Sequence, residues 1–175
     1  MGKAKPVSLC AMMTALALAL SYTERLIPLQ TLVPLPGIKL GLANVVTLIA
    51  LSLFKTRYAC AILICRCVFG AVFGGGITGL VFSLCGGMLA LTVMAVVGKV
   101  PMFSIYGISV LGAATHNVGQ ILAAMVLMNS VYIGVYLPWL LIAAVVTGLL
   151  TGGICARILR ILPKAAASVP VPMQK

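Results

Sequence analysis

The segment PLPGIKLGLAN, residues 34–44, decides how the rest of the chain is arranged, and it leads into an apolar run at residues 45–54. Closely spaced prolines disfavour a helix, so we predict a shaped loop that ends where Ile38 or Lys39 begins a helix. Asn44 then lies about 7 Å deeper than Lys39, at about 1.5 Å per residue. A cation and an amide on one helix, beneath a loop, predict the start of a site for a small polar ligand.

The composition of the chain indicates a membrane protein. Of 175 residues, 63% are hydrophobic, and 12 lysines and arginines stand against a single acid, which is Glu24. A soluble domain of this length cannot bury so much apolar surface, so we expect one integral membrane domain in contact with the lipid bilayer. The cations are dispersed between apolar runs, which favours a role in membrane topology over nucleic-acid binding.

The apolar runs predict an all-α, polytopic fold with six transmembrane helices. We place this domain at residues 7–162, between a cytoplasmic N-terminus at residues 1–6 and a disordered cytoplasmic tail at residues 163–175. The predicted helices cover residues 7 to about 24–25, 39–54, 57–73, 77–97 and 104–128, and a sixth begins around 132–138 and continues to 162. The first run resembles a signal peptide but continues past any cleavage point, so we expect it to be retained as a helix.

The distribution of the cations predicts the orientation of these helices. With both termini in the cytoplasm, most lysines and arginines flank the inner ends of the helices, and Arg25 and Lys39 flank the outer ends. This is the positive-inside bias of a multi-pass protein of the cytoplasmic (inner) membrane. The orientation places Glu24, the proline loop and the glycine turn GGG at residues 74–76 on the outer side.

Charged side chains form the first part of a candidate ligand site. Arg66 lies near the middle of the third predicted helix, roughly 13 Å from the interface, where a guanidinium needs an anion, carbonyls or water. It either pairs structurally with Glu24 or with carbonyl groups, or it binds an anionic ligand. Lys39 either extends its ammonium to the interface or contacts the same ligand. Glu24 could instead favour a cationic group on that ligand.

Amide and imidazole side chains form the second part of the candidate site. On the fifth predicted helix, His116 and Gln120 are one turn apart on a shared face, and Asn117 is offset by about 100°. These residues and Asn44 form either hydrogen bonds between helices or contacts with a ligand. Together with the cations, they would suit an anionic or polar molecule.

Small residues on the first helix suggest a helix–helix contact. Ala11, Ala15 and Ala19 recur every fourth residue and form one stripe, where another helix can approach closely. The stripe is either an internal packing seam or a docking surface for a partner protein.

The residue types argue against metal or cofactor chemistry. The six cysteines form no C-x-x-C pair, and the chain has one histidine and one acid. We therefore expect no metal site, no cofactor and no catalytic residues.

Three motifs, in order along the chain, resemble one known family. PGIKLGLANVVTLIAL at residues 36–51, FGGGITGLVFSLCGG at residues 73–87 and GAATHNVGQ at residues 112–120 are similar to the Gx transporter family. That family is also labelled heptaprenyl diphosphate synthase component I, and it is similar to the substrate-binding S components of energy-coupling-factor (ECF) transporters. The likeness covers about residues 7–162.

The resemblance implies a fold and a set of partners. It implies an S-component-like bundle of six helices, with the ligand toward the outer side beneath the loop after the first helix. It also implies that the alanine stripe docks on a transmembrane coupling subunit driven by separate ATPase subunits. The chain contains no G-x-x-x-x-G-K-[ST] phosphate loop, so we expect ATP hydrolysis to occur on another subunit.

The function predicted from the sequence is therefore substrate binding for an ECF-type uptake transporter, with a small, vitamin-like or cofactor-precursor, anionic ligand. One alternative is an accessory membrane subunit of heptaprenyl diphosphate or isoprenoid quinone synthesis. We do not expect an enzyme, because prenyl chain elongation needs several carboxylates to hold magnesium and this chain has one. A second alternative is a small proton-coupled exporter, although Glu24 is predicted close to the interface and not at mid-membrane.

Overall fold

A computed structural model describes residues 4–24, 39 and 41–161, with side chains from residue 7 onward. Every regular element in these ranges is helical, which confirms the all-α class. The α-helices are α1 (Ala4–Thr23), α2 (Asn44–Leu53), α3 (Thr56–Gly70), α4 (Gly76–Val97), α5 (Ile105–Leu127) and α6 (Leu137–Ile161). The proline loop at residues 34–37 and the tail at residues 163–175 lie outside the described residues.

The start of α2 differs from the prediction. The helix begins at Asn44, so the prediction that Ile38 or Lys39 begins it was wrong. Gly41 has a φ of 83°, a left-handed conformation that glycine adopts without steric cost and that a right-handed helix cannot contain. The Asn44 N–H bonds to the Gly41 carbonyl at 2.9 Å, which closes a turn ahead of the helix. Lys39 therefore lies in non-helical chain, and Asn44 opens α2.

The predicted glycine turn between the third and fourth helices is confirmed. α3 ends at Gly70, and a π-helical turn, Ala71–Gly75, connects it to α4. Gly74 and Gly76 have φ values of 95° and 64°. These positive values are accessible to glycine and are strained for other residues, so the reversal of the chain depends on this glycine run.

α5 packs closely on both α4 and α6 through glycines. A Cβ atom on Gly119 of α5 would lie 2.8 Å from the Gly86 Cα of α4. A Cβ atom on Gly148 of α6 would lie 2.5 Å from the Val110 Cα of α5. Helix backbones can approach this closely only where one partner has no side chain. α5 is therefore fixed between α4 and α6, while α1 packs on α2 and α3.

The outer surface of the bundle is apolar, as expected for a membrane protein. Three segments are long and apolar enough to cross a bilayer: Thr56–Val97, Ile105–Leu127 and Val131–Ile161. The first of them contains α3, the π-helical turn and α4. The apolar helices Val7–Thr23 and Asn44–Leu53 are shorter, so length and composition identify three candidate membrane-spanning segments and not the six that the sequence predicts.

Candidate functional site

Polar side chains from five helices and from Lys39 meet inside the bundle. We call this group the polar cluster; its members are Ser21, Glu24, Lys39, Asn44, Arg66, Ser83, His116 and Gln120. Each member except Lys39 is at most 6% exposed. Since such groups are costly to bury without partners, the hydrogen bonds within the cluster decide what it can bind.

Arg66 enters the polar cluster from α3 and is 5% exposed. Its Nη1 donates to Ser21 Oγ of α1 at 3.5 Å, and its Nη2 donates to Asn44 Oδ1 of α2 at 3.3 Å. Its Nε has no hydrogen-bond partner among the described residues. The guanidinium therefore lies in the interior, held by two neutral side chains, and its Nε–H has no acceptor among the described residues.

Lys39 is tied to α4 and α5 at three points. Its backbone N–H donates to Gln120 Oε1 at 3.0 Å, and Gln120 Nε2 donates to the Lys39 carbonyl at 3.1 Å. Its ammonium group donates to Ser83 Oγ at 3.0 Å. The side-chain amide of Gln120 thus forms two hydrogen bonds with the backbone of Lys39, as the backbone of a neighbouring β-strand does. The ammonium group of Lys39 points toward α4.

The side-chain amide of Gln120 also indicates which ring nitrogen of His116 carries the proton. Gln120 Nε2 is a hydrogen-bond donor, so the His116 Nε2 atom that it contacts must accept. The hydrogen-bond network therefore places the proton of the neutral ring on Nδ1. That Nδ1 lies against the backbone of Gly86 on α4.

Glycines leave room for the side chains of the polar cluster. A Cβ atom on Gly41 would lie 2.8 Å from Asn44 Nδ2 and 3.0 Å from the His116 ring. A Cβ atom on Gly86 would lie 2.6 Å from the His116 carbonyl oxygen and 3.1 Å from its Nδ1. Any larger residue at either position would displace the imidazole or the amide.

Glu24 follows α1 and is 3% exposed. Its carboxylate accepts a hydrogen bond from the Leu42 backbone N–H. Burial disfavours its anionic form, and the charges of Arg66 and Lys39 together with the Leu42 hydrogen bond oppose that effect. Glu24 therefore links the end of α1 to the turn that precedes α2, beneath the two cations.

The polar cluster carries more positive than negative charge. It contains the two cations Lys39 and Arg66, and Glu24 is the only acid in the whole sequence. One carboxylate can neutralise one of the two cations, whichever it faces. The polar cluster therefore contains one more cation than acid.

Asn117 is not brought into the polar cluster, although its neighbour His116 is. Its Nδ2 donates to the Leu140 carbonyl of α6 at 2.7 Å, and it is fully buried. The angular offset between the two residues turns Asn117 toward α6. In this structure it forms a contact between helices, which is one of the two roles that the sequence left open.

Two members of the polar cluster, Ser21 and Ser83, were not predicted as site residues. Ser21 precedes Glu24 by three residues and so lies on a similar face of α1, which was a usable signal. Ser83 gave a weaker signal, because a serine in an apolar helix often bonds to its own backbone. Its role depends on the non-helical position of Lys39, which the sequence reasoning placed inside a helix.

The alanine stripe of α1 is not covered by the described part of the chain. Ala11, Ala15 and Ala19 are exposed, whereas Ala17 is fully buried against the core. The stripe thus faces away from α2 and α3. An internal seam with those helices does not account for it.

An α-helical bundle with an apolar exterior and an interior cluster of charged and amide groups defines a membrane protein with a buried polar site. A family model described as Heptaprenyl diphosphate synthase component I matches residues 13–159, which is most of the chain. The chain therefore belongs to the heptaprenyl diphosphate synthase component I family. Comparison with curated proteins and with solved structures gave no match.

Proposed function

We propose that this protein is the membrane-embedded substrate-binding subunit of an ECF-type uptake transporter for a small, vitamin-like or cofactor-precursor, anionic ligand. The observation that carries the proposal is the polar cluster, which holds two cations, one acid and buried donors without acceptors. Each unpaired buried donor costs about 1–3 kcal/mol. A ligand that supplied acceptors and negative charge would remove these costs.

The proposed topology has six transmembrane spans, with both termini in the cytoplasm and the polar cluster toward the outer side. Its support is the positive-inside distribution of lysines and arginines along the sequence. α2 has 10 residues and is about 15 Å long, so it covers about half of the hydrocarbon core.

The first experiment tests ligand binding. Small molecules retained through gentle purification of the full chain are identified by mass spectrometry. We expect Arg66→Ala to lose the retained molecule while the protein still inserts, because this variant removes a buried cation and three donors to its surroundings.

The matched control is Arg57→Ala, which removes an exposed arginine from the start of the same helix. It should retain the molecule at the level of the unmodified protein. If purified Arg66→Ala binds the identified molecule with unchanged affinity, the polar cluster is structural and this role of Arg66 is rejected.

The second experiment tests partner docking. We propose that the alanine stripe of α1 contacts a transmembrane coupling subunit, which assembles with ATPase subunits. Ala15→Leu would hold the two helix backbones apart, so we expect it to lower the yield of the co-purified complex severalfold without changing ligand binding.

Val146→Leu is the control for this experiment, because it enlarges an exposed apolar side chain on α6, away from the stripe. An undiminished yield of complex with Ala15→Leu would show that the stripe is not the docking surface.

A second candidate function is favoured by the description of the family, which names a prenyl diphosphate synthase component. The chain has a single acid, so we propose an accessory role in that case and not the catalytic one. Co-purification with a soluble, aspartate-rich synthase would favour the accessory role. Co-purification with ATPase subunits would favour the transporter.

A further inference from the structure

We infer that the polar cluster holds its ligand through one monoanionic headgroup that only accepts hydrogen bonds, such as a carboxylate, on an otherwise uncharged molecule. This inference rests on the proposed function, since it takes the polar cluster to be the ligand site. The inference restricts the proposed ligand from anions in general to molecules with one negative charge. Its support is the charges and the hydrogen bonds of the described residues.

The charged side chains of the polar cluster do not balance. Lys39 and Arg66 contribute two positive charges, and Glu24, the only acid in the sequence, contributes one negative charge. The described cluster therefore contains one more cation than acid. Burying an uncompensated charge is costly, and a ligand with one negative charge removes this cost. A cation or a zwitterion leaves the positive charge in place.

The hydrogen-bond donors and acceptors of the polar cluster do not balance either. The side-chain oxygens that the structure pairs within the cluster already receive protons from protein donors. These acceptors are Ser21 Oγ, Glu24 Oε1, Asn44 Oδ1, Ser83 Oγ and Gln120 Oε1. In contrast, two buried nitrogens have no partner among the described residues: Arg66 Nε and Asn44 Nδ2.

The polar cluster therefore contains buried donors that need acceptors. A carboxylate presents two oxygens with about four lone-pair directions and donates nothing, so it matches the unpaired nitrogens. An ammonium group would enter next to two cations and would leave the unpaired nitrogens without acceptors.

A diphosphate is also a poor match, although the family description names one. It carries several negative charges, and proteins usually hold such groups with magnesium bound by carboxylates. One positive charge remains to be neutralised in the described cluster, and the chain's only acid accepts a backbone N–H. A diphosphate would therefore reverse the charge imbalance instead of removing it.

The test compares headgroups as isolated probes. The full chain in detergent is unfolded thermally with propionate, propylammonium, β-alanine or pyrophosphate, at matched pH and ionic strength. We expect propionate to raise the unfolding midpoint by several degrees in a saturable manner, and the other probes to leave it within about one degree. No rise with propionate, or an equal or larger rise with propylammonium, β-alanine or pyrophosphate, would overturn the inference.

Asn44→Asp gives a second, independent test, because it places a carboxylate where an amide oxygen now lies 3.3 Å from Arg66 Nη2. The variant supplies the missing anion from within the chain. We expect a higher unfolding midpoint without any probe and the loss of the response to propionate. Arg57→Gln, the control, should keep that response. A lower midpoint for Asn44→Asp, or an undiminished response to propionate, would contradict the inference.

The failure of this inference can be told apart from the failure of the proposed function. A zwitterion, a cation or a polyphosphate retained by the purified protein, and lost with Arg66→Ala, would overturn the headgroup class and leave the binding subunit intact. If no small molecule is retained and no ATPase subunits co-purify, the proposed function itself is wrong.

Discussion

Replacing Gly86 with alanine should damage the polar cluster through the packing of two helices. The added Cβ would lie 2.6 Å from the His116 carbonyl oxygen and 3.0 Å from Gln120 Cγ. A backbone carbonyl cannot move without its helix, so α4 and α5 must separate until the first distance reaches about 3.4 Å, the lower limit of ordinary contact. That movement carries His116 and Gln120 away from Lys39.

The magnitude follows from two opposing effects. Overpacking in a rigid interior costs about 1–3 kcal/mol, and a clash with backbone places this site near the upper end. Alanine is favoured over glycine inside a helix by about 1 kcal/mol, which offsets part of the cost. We therefore expect Gly86→Ala to lower the free energy of unfolding by about 2 kcal/mol and to weaken ligand retention.

Gly79 provides a matched control within α4. A Cβ atom there would have no described atom within 4 Å, so Gly79→Ala should be neutral or stabilising by up to about 1 kcal/mol. Both variants are measured by unfolding in mixed detergent micelles, together with the amount of retained small molecule. If Gly86→Ala proves as stable as Gly79→Ala and retains as much ligand, the close α4–α5 contact does not shape the site.

Two further predictions concern individual hydrogen bonds. Gln120→Leu removes the acceptor for the Lys39 N–H, so hydrogen exchange at that amide should accelerate at least tenfold while the helical amides of α4 change little; an unchanged rate would mean that the bond is not formed in solution. The 2.8 Å bond between Ser109 and Thr151 joins α5 to α6. A double-mutant cycle with Ser109→Ala and Thr151→Val should give a coupling free energy of about 0.6–1.7 kcal/mol, and a value near zero would contradict it.

Much of the helical architecture could be predicted from local sequence. Hydrophobic runs of helical length bounded by Lys, Pro and Gly locate α4, α5 and α6 to within a few residues, because in a bilayer each helix must satisfy its own backbone hydrogen bonds. The glycine turn before α4 was predictable for the same local reason. The start of α2 was not, because Gly41 interrupts the helix inside a segment whose hydropathy does not change.

Single polar residues in apolar runs identified most of the polar cluster. Arg66, His116 and Gln120 were predictable as site candidates because burying such groups has a cost that requires a partner. Their serine partners gave weaker signals, because Ser21 is marked only by its spacing from Glu24 and Ser83 carries no charge. The separation of Asn117 from His116 depends on which helices lie beside each face of α5.

The sequence by itself determined the membrane class, the helical content and the excess of positive charge, because hydropathy and charge count do not depend on how the helices are arranged. Only the tertiary structure decided that Arg66 meets Asn44 and Ser21, that Gln120 pairs with the backbone of Lys39, and that the alanine stripe faces outward. Such pairings depend on the rotation and depth of each helix, and these are set by the packing between helices, including the close glycine contacts of α5 with α4 and α6.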